Sequence, residues 1–241
     1  MRHRSQPGSA EPRVDSPGDL IVPANSVAAT GEVRARLRRF ELGAYGLYLM
    51  TAGLILFVFG NDRNDWFLLL SWTLIFPFSA IADKHALMLD YHPAFPMLVD
   101  ETPWMIPFAF GAFFTLPLLP VWHLGLLDGF DPLLQAAIVL VAATAFSALV
   151  ELSSSSTGIY RYHWPKRWLI AGTPWIVPVI DGFMYVLTYC GHGYLVGVTQ
   201  GLALLPAFAL SYGVYAALFC VLALVNAAVI RGLLRLDPVD V

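Results

Sequence analysis

Two carboxylates bracket one aromatic, basic stretch. Glu151 ends an apolar run, Asp181 lies inside the next one, and between them runs T-G-I-Y-R-Y-H-W-P-K-R-W, from Thr157 to Trp168. A charged side chain at the centre of a bilayer costs about 2.5–3.5 kcal/mol on insertion scales, so acids there are usually paired, cavity-facing or functional. Asp181 follows Arg167 by about a dozen residues, which at helical rise carries it well into hydrocarbon. Desolvation there favours the neutral acid and makes a protonated carboxyl available as a general acid. The structural alternative for Asp181 is a hydrogen bond between helices, to Asn226 for example. Glu151 has a plainer alternative as well, an interfacial position satisfied by water or by Arg161.

A second group of polar residues comes earlier: Asp83, Lys84, His85, Asp90 and His92, then Asp100 and Glu101. His and carboxylate ligands can hold a divalent metal, but this spacing fits no standard helical ligand pair. No metal or cofactor is expected, and a solvated loop is the plainer account. Asp83 and Glu101 are reserve acids because they sit closest to apolar segments. The aromatics Tyr160, Tyr162, Trp164, Trp168 and Trp104 read mainly as an interfacial belt. Trp175 and Tyr185 are expected deeper, where a π face can stabilise a carbocation. His123, His163 and His192 read as interfacial, and Cys190 and Cys220 as small buried residues.

The elements that must position these groups are long apolar blocks. The chain has 241 residues, 58% of them hydrophobic, with a mean hydropathy of +0.66. Only 13% are charged, about half the share in soluble domains. Blocks of roughly 18 or more apolar residues read as transmembrane helices. The fold class is therefore all-α, a polytopic transmembrane helical bundle. No basic stripe, zinc spacing or glycine-rich phosphate loop points to nucleic acid or nucleotide.

Residues 1–30 are rich in Pro, Ser, Gly and Arg and are expected to form a disordered cytoplasmic tail. The bundle follows as one domain over 31–241, and no internal repeat is evident. The basic run Arg34 to Arg39 directly before the first apolar block places the N-terminus in the cytoplasm. Spans are expected near 43–59, 66–82, 104–124, 133–152 and 168–189. Pro107, Pro117 and Pro120 should kink the third. The stretch 194–230 is long enough for two more, divided near Pro206 to Gly213, which makes about seven spans. Six is the alternative. Seven would put Arg231 and Arg235 outside, against the positive-inside rule.

The loop T-G-I-Y-R-Y-H-W-P followed by G-T-P-W-I-V-P resembles the integral-membrane carotenoid-biosynthesis proteins of the carotenoid 1,2-hydratase type. Glu151, Gly158, Tyr160, Tyr162, Gly172, Pro174 and Pro178 carry that resemblance. It covers about one sixth of the chain, and Asp181 has no counterpart in the family pattern. The same loop also resembles the bacterial relatives of the Insig proteins, lipid- or sterol-binding bundles without catalysis. Both resemblances imply a membrane-embedded lipid or isoprenoid ligand. The first implies acid-catalysed hydration or cyclisation of a polyene, with Glu151 and Asp181 as acids. Tyr160 and Tyr162 would orient the acid, and Trp175, Tyr185 and Trp104 would line the substrate site. A small transporter is the third expectation, ranked last for want of a repeat.

Overall fold

The computed structural model describes residues 31–85, 87–99 and 102–235. Glu101, the 1–30 tail and the side chain of Asp83 lie outside the described residues. The chain is mostly helical. Helix α1 spans Gly31–Phe57, α2 Arg63–Leu74, α3 Phe76–His85, α4 Ile106–Thr115, α5 Leu119–His123, α6 Pro132–Ser156, α7 Val177–Thr199 and α8 Leu204–Arg235. Among the described residues, four helical stretches are long and apolar enough to cross a membrane: Gly31–Phe57, Ile106–His123, Pro132–Ser156 and Leu204–Gly232. They mark the chain as a membrane protein. Their outward residues are those that lipid tails would cover, such as Leu49, Leu149 and Leu224, all exposed.

Local chemistry sets the helix limits. Asp62 caps α2 by accepting from the Asn64 N–H at 2.7 Å. Asp131 caps α6 through the Leu133 and Leu134 N–H groups, with Pro132 in the first turn. Pro117 lies in the break between α4 and α5 and Pro120 opens α5, as the sequence leads one to expect, but Pro107 falls in the first turn of α4 and kinks nothing. The division expected near Pro206 to Gly213 is absent. Pro206 falls in the first turn of α8, where it has no intrahelical N–H bond to lose, and the helix runs on unbroken.

Short strands gather at one end of the bundle: β1 Leu89–Tyr91, β2 Met97–Val99, β3 Thr102–Pro103, β4 Tyr160–Tyr162, β5 Leu169–Ile170 and β6 Thr173–Pro174. Strand β1 pairs with β4, β2 with β3 and β5 with β6, all antiparallel. The β5–β6 turn places Ala171 and Gly172 at φ 49° and 90°, the two positive values a two-residue hairpin of the primed kind requires. The other end of the bundle is closed by the turns after α1, α5 and α7. There Arg63 donates to the Thr199 and Leu202 carbonyls at 2.6 and 3.0 Å.

The structure contains an internal repeat, contrary to the sequence expectation. Residues within 69–111 recur within 140–182 at a constant offset of about 71 positions, counted along the chain. The motif T-P-W-x-x-P occurs at Thr102 to Pro107 and again at Thr173 to Pro178, each time as a buried two-residue strand leading into a helix. Tyr91-His92 matches Tyr162-His163. Strands β1 and β4 correspond and pair with each other about Asp90 and Arg161. His92 N–H donates to the Ile159 carbonyl and His163 N–H to the Met88 carbonyl, both at 2.9 Å. Helix packing repeats as well. A Cβ at Gly111 would meet Thr73 Oγ1 at 2.3 Å and the Leu69 carbonyl at 3.2 Å. A Cβ at Gly182 would meet Thr144 Oγ1 at 2.2 Å and the Leu140 carbonyl at 3.1 Å. Both α2–α3 and α6 run toward the strand-bearing end, so the two units are parallel repeats about an axis along the bundle.

Candidate functional site

Strand β4 explains the Y-R-Y spacing. Alternate residues of a strand share a face, so Tyr160 and Tyr162 point the same way and the exposed Arg161 points to the other side. Both tyrosine hydroxyls donate to Glu151 Oε2, at 2.7 and 2.8 Å. No other hydrogen bond to the Glu151 carboxyl is present among the described residues, which leaves Oε1 open. Thr173 of the second T-P-W motif donates to the Glu151 backbone carbonyl at 3.3 Å and so ties the strand end to α6. Arg161 does not pair with Glu151. Burial first, and then the Glu151 carboxylate, raise both phenols above the ordinary 10.0, so they remain hydrogen-bond donors.

Asp181 sits one turn into α7 and accepts a hydrogen bond from Ser147 Oγ of α6. Glu151 and Asp181 wall the same cavity, of about 570 Å³. The rest of the lining is almost wholly apolar. Tyr91, Phe110, Phe113, Phe114 and Phe146 supply aromatic faces, and Phe40, Gly43, Ala44 and Leu47 supply the α1 side. Its volume lies within the usual range for small-molecule sites. The repeat makes the cavity unequal: Glu151 corresponds to Ala80, and Asp181 to Phe110. The acids thus belong to the second unit alone, while Tyr91 and Tyr162, which correspond, both line the cavity.

The remaining aromatic candidates lie elsewhere. Trp175 is 44% exposed, stacked on Trp168, and outside the cavity lining. The β5–β6 hairpin takes up Leu169 to Pro174, so α7 begins at Val177 and Trp175 stays at the strand end. Trp104, its counterpart in the first unit, is half exposed. Tyr185 is fully buried behind the wall, in contact with Phe113 and Phe114, and donates its hydroxyl to the Phe113 carbonyl. The phenylalanines of α4 and α6 therefore take the place the sequence assigned to Trp175.

A second polar cluster at the opposite end escaped sequence reasoning. Asp65, 2% exposed, lies 2.7 Å from His123 Nε2 and 3.7 Å from His192 Nε2. Tyr215 OH is 3.4 Å from His192 Nδ1, and Trp122 stacks on His192. His192 is thus buried rather than interfacial. The cluster joins α2, α5, α7 and α8 and fits a structural clamp. The signal was an acid in the first turn of an apolar helix. Cys190 is exposed and not buried. No group of three or more His, Cys, Asp or Glu able to hold a metal occurs among the described residues.

No family model, no curated protein and no solved structure matches this chain.

Proposed function

We propose that this protein is a multi-pass membrane enzyme of isoprenoid or carotenoid-type lipid metabolism, in which Glu151 protonates a carbon–carbon double bond. One observation carries the proposal: two carboxyls share an aromatic, otherwise apolar cavity, and one holds two phenol donors on a single oxygen. With the acidic proton on Glu151 Oε1, Oε2 accepts from both tyrosines. Proton transfer to a terminal alkene carbon breaks the O–H bond and the π bond, forms a C–H bond and leaves a tertiary carbocation. The charge left on the carboxylate then falls on an oxygen already held by two donors, an arrangement that favours the transition state. Phe110, Phe113 and Phe146 turn π faces toward the cation. In hydration, water adds to the cation and gives its proton to Asp181. In cyclisation, an internal double bond attacks and a C–H proton leaves to the same base. The loop resemblance to the carotenoid 1,2-hydratase family agrees with this chemistry.

Six crossings fit the structure and the charge pattern. Helices α1, α6, α7 and α8 each make one, as do the pairs α2–α3 and α4–α5. Both described chain ends then lie on the strand-bearing side, with Arg34 to Arg39, Arg161, Lys166, Arg167 and Arg231. The opposite end carries Asp62, Asp128 and Asp131 with Arg63. By the positive-inside rule the strand-bearing end is cytoplasmic.

Lipid mass spectrometry on a host with an isoprenoid pool tests the activity. A product heavier by one water, or an isomer with a new ring, is expected with the wild type and lost in Glu151→Gln. Full product formation in both Glu151→Gln and Asp181→Asn would end the proposal. The internal repeat favours a second reading, a transporter, since small parallel-repeat bundles serve that role. A proton-gradient-dependent flux in vesicles, without chemical change of any lipid, would support it. A lipid that co-purifies unchanged, with no flux, would support the non-catalytic, Insig-like alternative.

A further inference from the structure

The cavity has an open side. Helix α1 packs on α4, and α6 packs on α7, but α1 and α6 do not pack along their length. They meet at the strand-bearing end, where Arg36 donates to the Thr157 carbonyl at 3.1 Å. Several residues are both cavity lining and outer surface. Leu47 on α1 is 48% exposed and Phe146 on α6 is 37% exposed. Gly43 is exposed too, and a Cβ there would meet nothing within 4 Å. A residue that lines a cavity and faces outward marks the rim of an opening. This rim lies along the sides of two helices that are long and apolar enough to cross a membrane. Leu42, Leu49 and Leu149 elsewhere on the same two helices are exposed and apolar, as a lipid-facing surface requires. Arg39 stands at the strand-bearing edge, where its stem can run along the rim with its charge in water.

We infer that ligand enters sideways from the bilayer, through a slot between α1 and α6 bounded by Gly43, Leu47 and Phe146. The class of ligand follows: a long apolar chain dissolved in the membrane, one end of which reaches the carboxyls while the remainder stays among lipid tails. A water-soluble ligand would have no use for a slot with this surface. The identity of the chain as an isoprenoid rests on the proposed function, but the route does not.

A photoreactive benzophenone side chain in place of Phe113, inside the cavity, tests the route in liposomes of dioleoyl phosphatidylcholine with no isoprenoid present. Illumination is expected to attach an acyl chain to the protein. Gly43→Trp is expected to cut that capture about tenfold, and Phe146→Ala to raise it. Gly53→Trp, on the same helix away from the cavity, is the control for the effect of bulk alone and is expected to leave capture unchanged. Equal capture in Gly43→Trp and Gly53→Trp, or no capture in the parent protein, would overturn the lateral route. Capture that follows the slot while no isoprenoid is ever converted would sink the enzymatic reading and leave the slot standing.

Discussion

The bond pair on Glu151 sets what single residues should do. A hydrogen bond to a charged group contributes about 1.5–3 kcal/mol, so Tyr160→Phe and Tyr162→Phe should each slow product formation by roughly 10- to 100-fold. Steady-state rates on a membrane polyene check this, with the amount of folded protein as reference. Both phenols should also resist ionisation. Their folded values lie above the ordinary 10.0, so their phenolate absorbance should appear only at higher pH than that of an exposed tyrosine. Holding the proton more tightly than an unfolded chain, they should cost the fold stability once pH rises above about 10. The two acids were legible in the sequence because a carboxylate inside an apolar run stands out on composition alone, whereas Tyr160 and Tyr162 read mainly as an interfacial belt and were tied to the acid only through the loop resemblance. The phenylalanine walls were not, since nothing in an apolar block tells which of its side chains face a cavity.

Helix packing repeats the same contact twice, and that contact makes a prediction at the level of elements. Gly111→Ala and Gly182→Ala each push a methyl against a threonine hydroxyl and a backbone carbonyl. Each should destabilise by about 1–3 kcal/mol, measured by thermal unfolding in detergent. Thr144→Ala should recover part of the loss at Gly182 and none at Gly111. At the far end, Asp65→Ala leaves its histidine partners without their shared hydrogen-bond partner and should cost about 1–3 kcal/mol. In the β5–β6 turn Ala171 holds a positive φ, so Ala171→Gly should stabilise by roughly 1 kcal/mol. The long helices α1, α6 and α8 were readable from block length and the break between α4 and α5 from its prolines, but the span expected at 66–82 is divided into α2 and α3, and the one expected at 168–189 forms its helix only over Val177–Thr199. The strands were not. Three residues such as Tyr160 to Tyr162 are too few for period-two alternation to register, so a strand that aims two hydroxyls at one oxygen read as a loop.

Across the whole molecule, a duplicated frame carries a site that is not duplicated. Its first unit keeps the glycine contact, the T-P-W strand and a tyrosine in the cavity, but has Ala80 and Phe110 where the second unit has its acids. The repeat escaped notice in the sequence because its matching residues are few and scattered, and only Tyr-His and T-P-W-x-x-P are contiguous. Packing shows it because the same glycine–threonine contact recurs and β1 pairs with its own counterpart β4. The division expected within 194–230 rested on the length of that stretch, but α7 runs on to Thr199 and α8 takes the rest as one helix, with Pro206 in its first turn where a proline divides nothing. With α8 as one crossing, Arg231 and the cluster Arg34 to Arg39 share a side. Cysteines at Arg36 and Arg231 should therefore react with an impermeant thiol reagent from the same face of a membrane vesicle, and one at Asp128 from the opposite face.

The central claim is that a buried carboxyl adds a proton to carbon. Purified protein in liposomes with an acyclic polyene, incubated in heavy water, measures that step directly. The wild type should yield a product bearing one carbon-bound deuterium, together with added water or a new ring, and Glu151→Gln should yield none. Polyene recovered unchanged by the wild type, or the same deuterium incorporation by Glu151→Gln, would contradict the mechanism.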